Sequence, residues 1–328
     1  MSSFFRLAIR GAAACAVAVS AAASGQQEFD RPIRMVLGYA PGGAADVMTR
    51  TIGNDLGPRT RQVVVVENKP GANGVLAAQF VKQAPKAQTT LFLSDTSLYS
   101  LAVNVQKNFP VDVLKELQPV IIVGTAPLIL AAGKKVPATT MAELIQHGRA
   151  NPGMQYGSTG TGGYHHVALE YWGKLTGVEL AHVPFQNPGQ RLIALGSGDL
   201  SLSWVSGANL RSLDAVIPKD QLKLFAVAAS RRLASRKDIP TMAEAGVPGF
   251  NLEATFAIFA HPETPRPLVN ALNAALRDSL ASPEVSKRFD QFGIEIYPAN
   301  TVDEATSLLR AEYDQYAKVT RDLGRKIE

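Results

Sequence analysis

The sequence predicts an α/β protein of two lobes, each a parallel-rich sheet flanked by helices, with a ligand cleft between them. Three observations predict it. Short β-branched runs alternate with helical patterns along most of the chain, the pattern of parallel strands joined by right-handed crossovers. Two glycine-rich turns, Ala40-Pro41-Gly42-Gly43-Ala44-Ala45-Asp46 and Gly157-Ser158-Thr159-Gly160-Thr161-Gly162-Gly163, each stand between a strand-like apolar run and an amphipathic helical stretch. The chain, at 328 residues, is longer than one ordinary core holds, so two domains are expected.

Strands are expected at 33–39, 63–67, 90–94, 120–123, 128–131, 155–157, 182–185, 200–205, 222–228 and 255–260. Helices fall between most of them. The first, 44–56, gathers Val47, Met48, Ile52 and Leu56 on one face and stops at Gly57-Pro58. A second follows Pro70-Gly71-Ala72-Asn73, and 140–149, 164–175, 191–195, 267–280 and 302–323 read the same way. Two nearly continuous apolar runs, 121–132 and 222–229, read as crossings between lobes. The first lobe is therefore expected to hold 26–124 and 230–328 and the second 125–229, with the long C-terminal helix packed back on the first.

Residues 1–25 stand outside this fold. Arg6 and Arg10 precede an apolar stretch and the small-residue run Ala21-Ala22-Ala23-Ser24, the layout of a cleaved secretory signal. The apolar stretch is about ten residues, too short for a bilayer, which takes roughly 20. The alternative is an unstructured tail. Cys15, the only cysteine, lies inside this segment, so the mature chain is expected to have neither thiol nor disulfide. Loss of Arg6 and Arg10 lowers the formal net charge from +5 to +3. The basic residues that remain, such as Arg231-Arg232, Arg236-Lys237 and those of 321–326, are interleaved with Asp and lack neighbouring aromatics. No nucleic-acid partner is expected from such a pattern. A soluble monomer exported to the periplasm is.

In parallel sheets ligands bind beyond the carboxyl ends of strands, where both glycine turns lie. Glycine lets backbone N–H groups converge there, and the following helix adds about half a positive charge. An anion gripped by two such turns needs no lysine. The first turn offers N–H groups of Gly43, Ala44 and Ala45, with Tyr39 and Gly42 beside them; the second offers Ser158, Thr159, Gly160, Thr161 and Gly162, with hydroxyls from Ser158 and Thr161. Asp46 reads as a cap that holds its turn. Further cleft candidates are Ser94, Asp95 and Thr96 after the third strand, Phe185 and Gln186, Val205 and Ser206, and His166.

Other motif readings fail on spacing. Gly157 to Gly162 has the glycine interval of a phosphate-binding loop, but Gly163-Tyr164 follows in place of Lys-Ser/Thr. Ser158 lacks the glycine two residues earlier that a nucleophile elbow needs. His166 and Glu170 are one helical turn apart without a third ligand, so no metal is expected. His165 and His166 face different ways on a helix, and the sequence leaves open which meets the cleft.

Pro32-Ile33-Arg34 leading to Tyr39-Ala40-Pro41-Gly42-Gly43-x-x-Asp46, then Val65-Val66-Glu67-Asn68-Lys69-Pro70-Gly71-Ala72-Asn73-Gly74, resembles the opening of the Bug-type solute-binding proteins of tripartite tricarboxylate transporters. The resemblance continues through Tyr156-Gly157-Ser158-x-Gly160-x-Gly162, His166, His182-Val183-Pro184-Phe185, Asp238-Ile239-Pro240-Thr241-x-x-Glu244-Ala245-Gly246-Val247-Pro248-Gly249 and the helix after Pro265. It implies a type II periplasmic binding protein-like fold, a small organic carboxylate in the interlobe cleft, membrane components of the transporter as partners, no cofactor and no catalysis. A secreted hydrolase or lyase using His166 with Ser158 or Glu170 is the alternative. The chain departs from relatives that bind amino acids, which carry an acidic residue at the position of Val205. An ammonium would lack its counter-ion there, so carboxylates without an α-amino group are expected. Asp95 reverses that expectation if its side chain reaches the cleft.

Overall fold

The computed structural model describes residues 29–106, 108–185, 187–206, 218, 221–233, 236–250 and 252–324. Residues 1–25, expected to be a secretory signal, and Gln186 lie outside the described residues. Among the described residues there are eleven strands, β1 Ile33–Leu37, β2 Val64–Asn68, β3 Thr89–Asp95, β4 Gln118–Thr125, β5 Leu128–Gly133, β6 Met154–Ser158, β7 Leu180–Pro184, β8 Leu202–Ser206, β9 Leu222–Val227, β10 Thr255–Ala260 and β11 Glu295–Ile296. Helices of two turns or more are α1 Ala44–Thr60, α2 Val75–Lys82, α3 Met141–Ala150, α4 Tyr164–Thr176, α5 Pro188–Ser197, α6 Arg266–Leu280, α7 Pro283–Gln291 and α8 Val302–Leu323.

The strands form two sheets, in the orders β11-β4-β10-β3-β1-β2 and β7-β6-β8-β5-β9. The parallel pattern holds for three strands in each sheet, β2-β1-β3 and β7-β6-β8. The strands that enter or leave the other sheet, β4 and β10 in the first and β5 and β9 in the second, pair antiparallel.

Both faces of each sheet are covered. On the first, Ile33, Met35 and Leu37 pack on Met48, Ile52 and Leu56 of α1 and on Leu272 and Leu276 of α6. Val36, pointing the other way, joins Phe92, Phe259 and the buried alanines of α2. On the second sheet Leu130, Leu202 and Trp204 meet Trp172 of α4, while Ile129 and Val205 meet Leu195 of α5.

Three segments tie the lobes together. The π-helical stretch Ser97–Ala102 and the turn after it place Leu98 and Tyr99 in the first lobe's core but Leu101 and Val105 in the second's. Residues Met242, Val247, Phe250 and Leu252, expected with the first lobe, pack on the second. Helix α8, expected to lie wholly on the first lobe, sets Ala305 and Leu309 there and Tyr316 and Val319 on the second. Its 22 residues reach about 33 Å at 1.5 Å per residue, enough to bridge both.

Candidate functional site

The two glycine turns are one device used twice. Gly42 has φ +88° and Gly162 φ +75°, conformations that a branched side chain disfavours. Gly43 and Gly163 then cap α1 and α4 with nearly identical backbone, φ −78°, ψ 172° and φ −75°, ψ 167°, and supply no side-chain cap. Four residues on, a side chain reaches back. Asp46 Oδ2 accepts the Gly42 N–H at 3.0 Å, and His166 Nδ1 accepts the Gly162 N–H at 2.9 Å. The N–H groups of Ala44 and Ala45, and of Tyr164 and His165, have no intrahelical acceptor because they lie in the first helical turn. Each turn therefore presents an electropositive helix end that no side chain of its own occupies.

The support beneath each turn is polar and tight. Asp46 also accepts from Arg50 Nε at 3.0 Å and Asn68 Nδ2 at 2.8 Å. Although burial opposes it, these donors hold its carboxyl below the usual range. Under the second turn, Ser158 Oγ lies 2.6 Å from His182 Nε2 and accepts the Gly160 N–H at 3.0 Å. The His182 ring stacks on His166 with centroids 4.1 Å apart.

A cleft of about 500 Å³ opens between the sheets. Tyr39, Asp95 and Ser97 line it from the first lobe, residues 159–165 and Ser206 from the second, and Gln106, Ala126, Leu128, Ala254 and Phe256 close it. Burial pushes the Asp95 carboxyl up, against donation from the Tyr39 hydroxyl and the N–H groups of Ser97 and Leu98. Burial, and then the charge of Arg191, push His165 down to about 3, so this imidazole is neutral. Its Nδ1 is 3.2 Å from Thr159 Oγ1. Among the described residues no group of three or more metal-ligating side chains converges anywhere.

A family model described as the tripartite tricarboxylate transporter family receptor matches residues 48–324. The chain belongs to this receptor family. Protein BugT of Bordetella pertussis is 29% identical, the match covering 98% of each chain. MatC of Rhodopseudomonas palustris, solved with bound malate, is 26% identical and superposes with a TM-score of 0.74 over 89% of this chain and 99% of its own. The R. palustris protein Rpa4515, solved with adipate, is 26% identical with a TM-score of 0.78 over 90% and 98%.

Of the receptor residues expected at the site, Tyr39, Asp95, Thr159, Gly160, Thr161, Gly162 and Ser206 line the cleft. Gly42 and Gly43 are exposed, and neither they nor Ala44 and Ala45 belong to its lining. Ser158 is fully buried and His166 nearly so, so both shape the second turn from below rather than reach the cleft. It is His165 that does. Ser94 is buried within the first sheet, and Phe185 packs against the apolar side of α5. Thr96 turns to Glu312 and accepts the Thr255 N–H at 2.8 Å. Val205 is a correction: it is fully buried beside Ile129 and Leu195, because alternate residues of β8 face opposite ways and Ser206 takes the cleft. Exposing it would forfeit about 1.5–3 kcal/mol of apolar burial. The case against an ammonium that rested on Val205 lapses with it. The signal missed in the sequence was the repeat itself, Gly-Gly-x-x-Asp and Gly-Gly-x-x-His, which marks the fifth residue as a side-chain acceptor for the first glycine's N–H and leaves the fourth, His165, on the cleft wall.

Proposed function

We propose that this receptor captures a small organic carboxylate between its lobes and delivers it, as a periplasmic monomer without catalysis, to the membrane components of a tripartite tricarboxylate transporter. The observation that carries this reading is the second turn, whose uncapped helix end lines a cleft shared by both sheets. A carboxylate taken from water must regain hydrogen bonds or lose several kcal/mol, and that backbone supplies them. The malate and adipate held by the two R. palustris relatives are of the same chemical class. The burial of Ser158, whose hydroxyl is shared between His182 and Gly160, argues against its use as a nucleophile.

The lobes we assign are 26–124 with 230–328 and 125–229, with Ile239, Met242, Val247, Phe250 and Leu252 riding on the second by virtue of their packing. Cleavage of residues 1–25 on export belongs to the same proposal; among the described residues no helix is long and apolar enough to cross a membrane. The test is mass spectrometry of ligand released from receptor purified without refolding, followed by small-angle scattering with and without that ligand. A released carboxylate and a more compact particle are expected, since a ligand that bridges two lobes favours their closure. Release of a ligand with no carboxylate would sink the reading.

A further inference from the structure

The cleft has unlike walls. On the first-lobe side Asp95 ends β3, its carboxylate held by the Tyr39 hydroxyl, the Ser97 N–H at 3.0 Å and the Leu98 N–H. Those donors are all neutral, and among the described residues no Lys or Arg lines the cleft. On the second-lobe side Arg191 is 3% exposed and lies directly behind the turn, where a Cβ on Gly157 would meet its Cγ at 2.9 Å. Its guanidinium donates to Ser203 Oγ and, at 2.6 Å, to the Trp204 carbonyl, and its Nε finds no acceptor among the described residues. A buried cation and an uncapped helix end therefore stand behind one wall and a carboxylate forms part of the other.

A ligand with carboxylates at both ends suits only half of this arrangement. Its first carboxylate meets the second turn, but its other one meets Asp95, and two carboxylates in contact cannot both stay ionised. An ammonium at that end supplies the counter-ion that no described residue gives Asp95, and in a closed cleft such a pair is screened little by salt. We propose that the receptor selects a zwitterionic amino-carboxylate, its carboxylate on the Thr159–His165 side of the cleft and its ammonium on Asp95. This rests on the carboxylate reading above and narrows it to one ligand class.

The test is calorimetry of the mature receptor with chain-matched probes: glutamate, 5-aminopentanoate, glutarate and pentanoate. At least one of the two amino-carboxylates is expected to bind about tenfold or more tighter than either probe without nitrogen. In Asp95→Asn that advantage is expected to fall by about tenfold while binding of glutarate holds or improves. Tighter binding of glutarate than of both amino-carboxylates by the wild type overturns the proposal, and this ranking stands even if the variant fails to fold. An equal loss of both probe classes in a folded Asp95→Asn also overturns it. If none of the four probes binds while a released ligand without a carboxylate is found, the carboxylate reading fails as well.

Discussion

Glu312 is a carboxyl enclosed where the two lobes join. It projects from α8 toward the first residue of β10: its Oε1 accepts from Thr96 Oγ1 at 2.6 Å, and its Oε2 from the hydroxyls of Thr255 and, at 3.3 Å, Tyr99. Among the described residues no basic group faces it; the ionisable neighbours are Glu253, Tyr99, Tyr164, Tyr297 and Tyr316. Burial pushes it from an ordinary 4.5 up to about 7, the three hydroxyls only partly opposing. Between those two values the folded state binds a proton that the unfolded chain does not. Stability from this group is thus full below pH 4.5, falls as pH rises through about 7, and is then lost. At pH 8 the ionised side chain costs the fold about 3 kcal/mol, at 1.4 kcal/mol per unit of displacement. Glu312→Gln keeps the shape and removes the charge, giving back about 1 kcal/mol in altered hydrogen bonds. Urea unfolding of both proteins at pH 5, 6, 7 and 8 is the assay. The variant is expected to gain about 2 kcal/mol on wild type across that range, with Asp95 cancelling because both proteins carry it. A difference that does not change with pH would refute the reasoning.

Gly42→Val places a branched residue at φ +88° in open space, so it should cost about 1–2 kcal/mol in urea unfolding through backbone conformation alone. Gly162→Val adds a contact with Val105 Cγ1 at 3.4 Å and disturbs the cleft wall itself, so it should also weaken ligand binding in calorimetry; normal affinity would separate the second turn from the site. Asp46→Ala removes the acceptor of the Gly42 N–H and of one Asn68 amide proton, the other still donating to the Tyr39 carbonyl, with an expected loss of about 1–3 kcal/mol read from the melting transition. For export, the chain recovered from a periplasmic fraction should begin between Ser24 and Glu28 by N-terminal sequencing, and a retained Met1 would refute cleavage.

The strand-helix alternation, the two glycine turns and the family's ordered motifs were all legible in the sequence, because each depends on neighbours a few residues apart. Hydrophobic period tells which stretch is strand, and a glycine pair before a helix marks an uncapped N-terminus. That Asp46 holds its turn was readable for the same reason, since its bond to the Gly42 N–H is set within one helical turn. What the sequence could not determine is which side of a segment faces which body. Val205 and Ser206 are equivalent as letters; the packing of α5 on one face of β8 alone decides that Val205 is core and Ser206 is cleft. His165 and His166 were separated only when Gly162 engaged the second of them. Thr96 lost its place at the site to Glu312, which is more than 200 residues away in sequence and arrives by way of a helix that spans both lobes. Local chemistry follows from adjacent residues, whereas the unlike walls of the cleft exist only because the fold sets Asp95 and Arg191 on opposite sides of it.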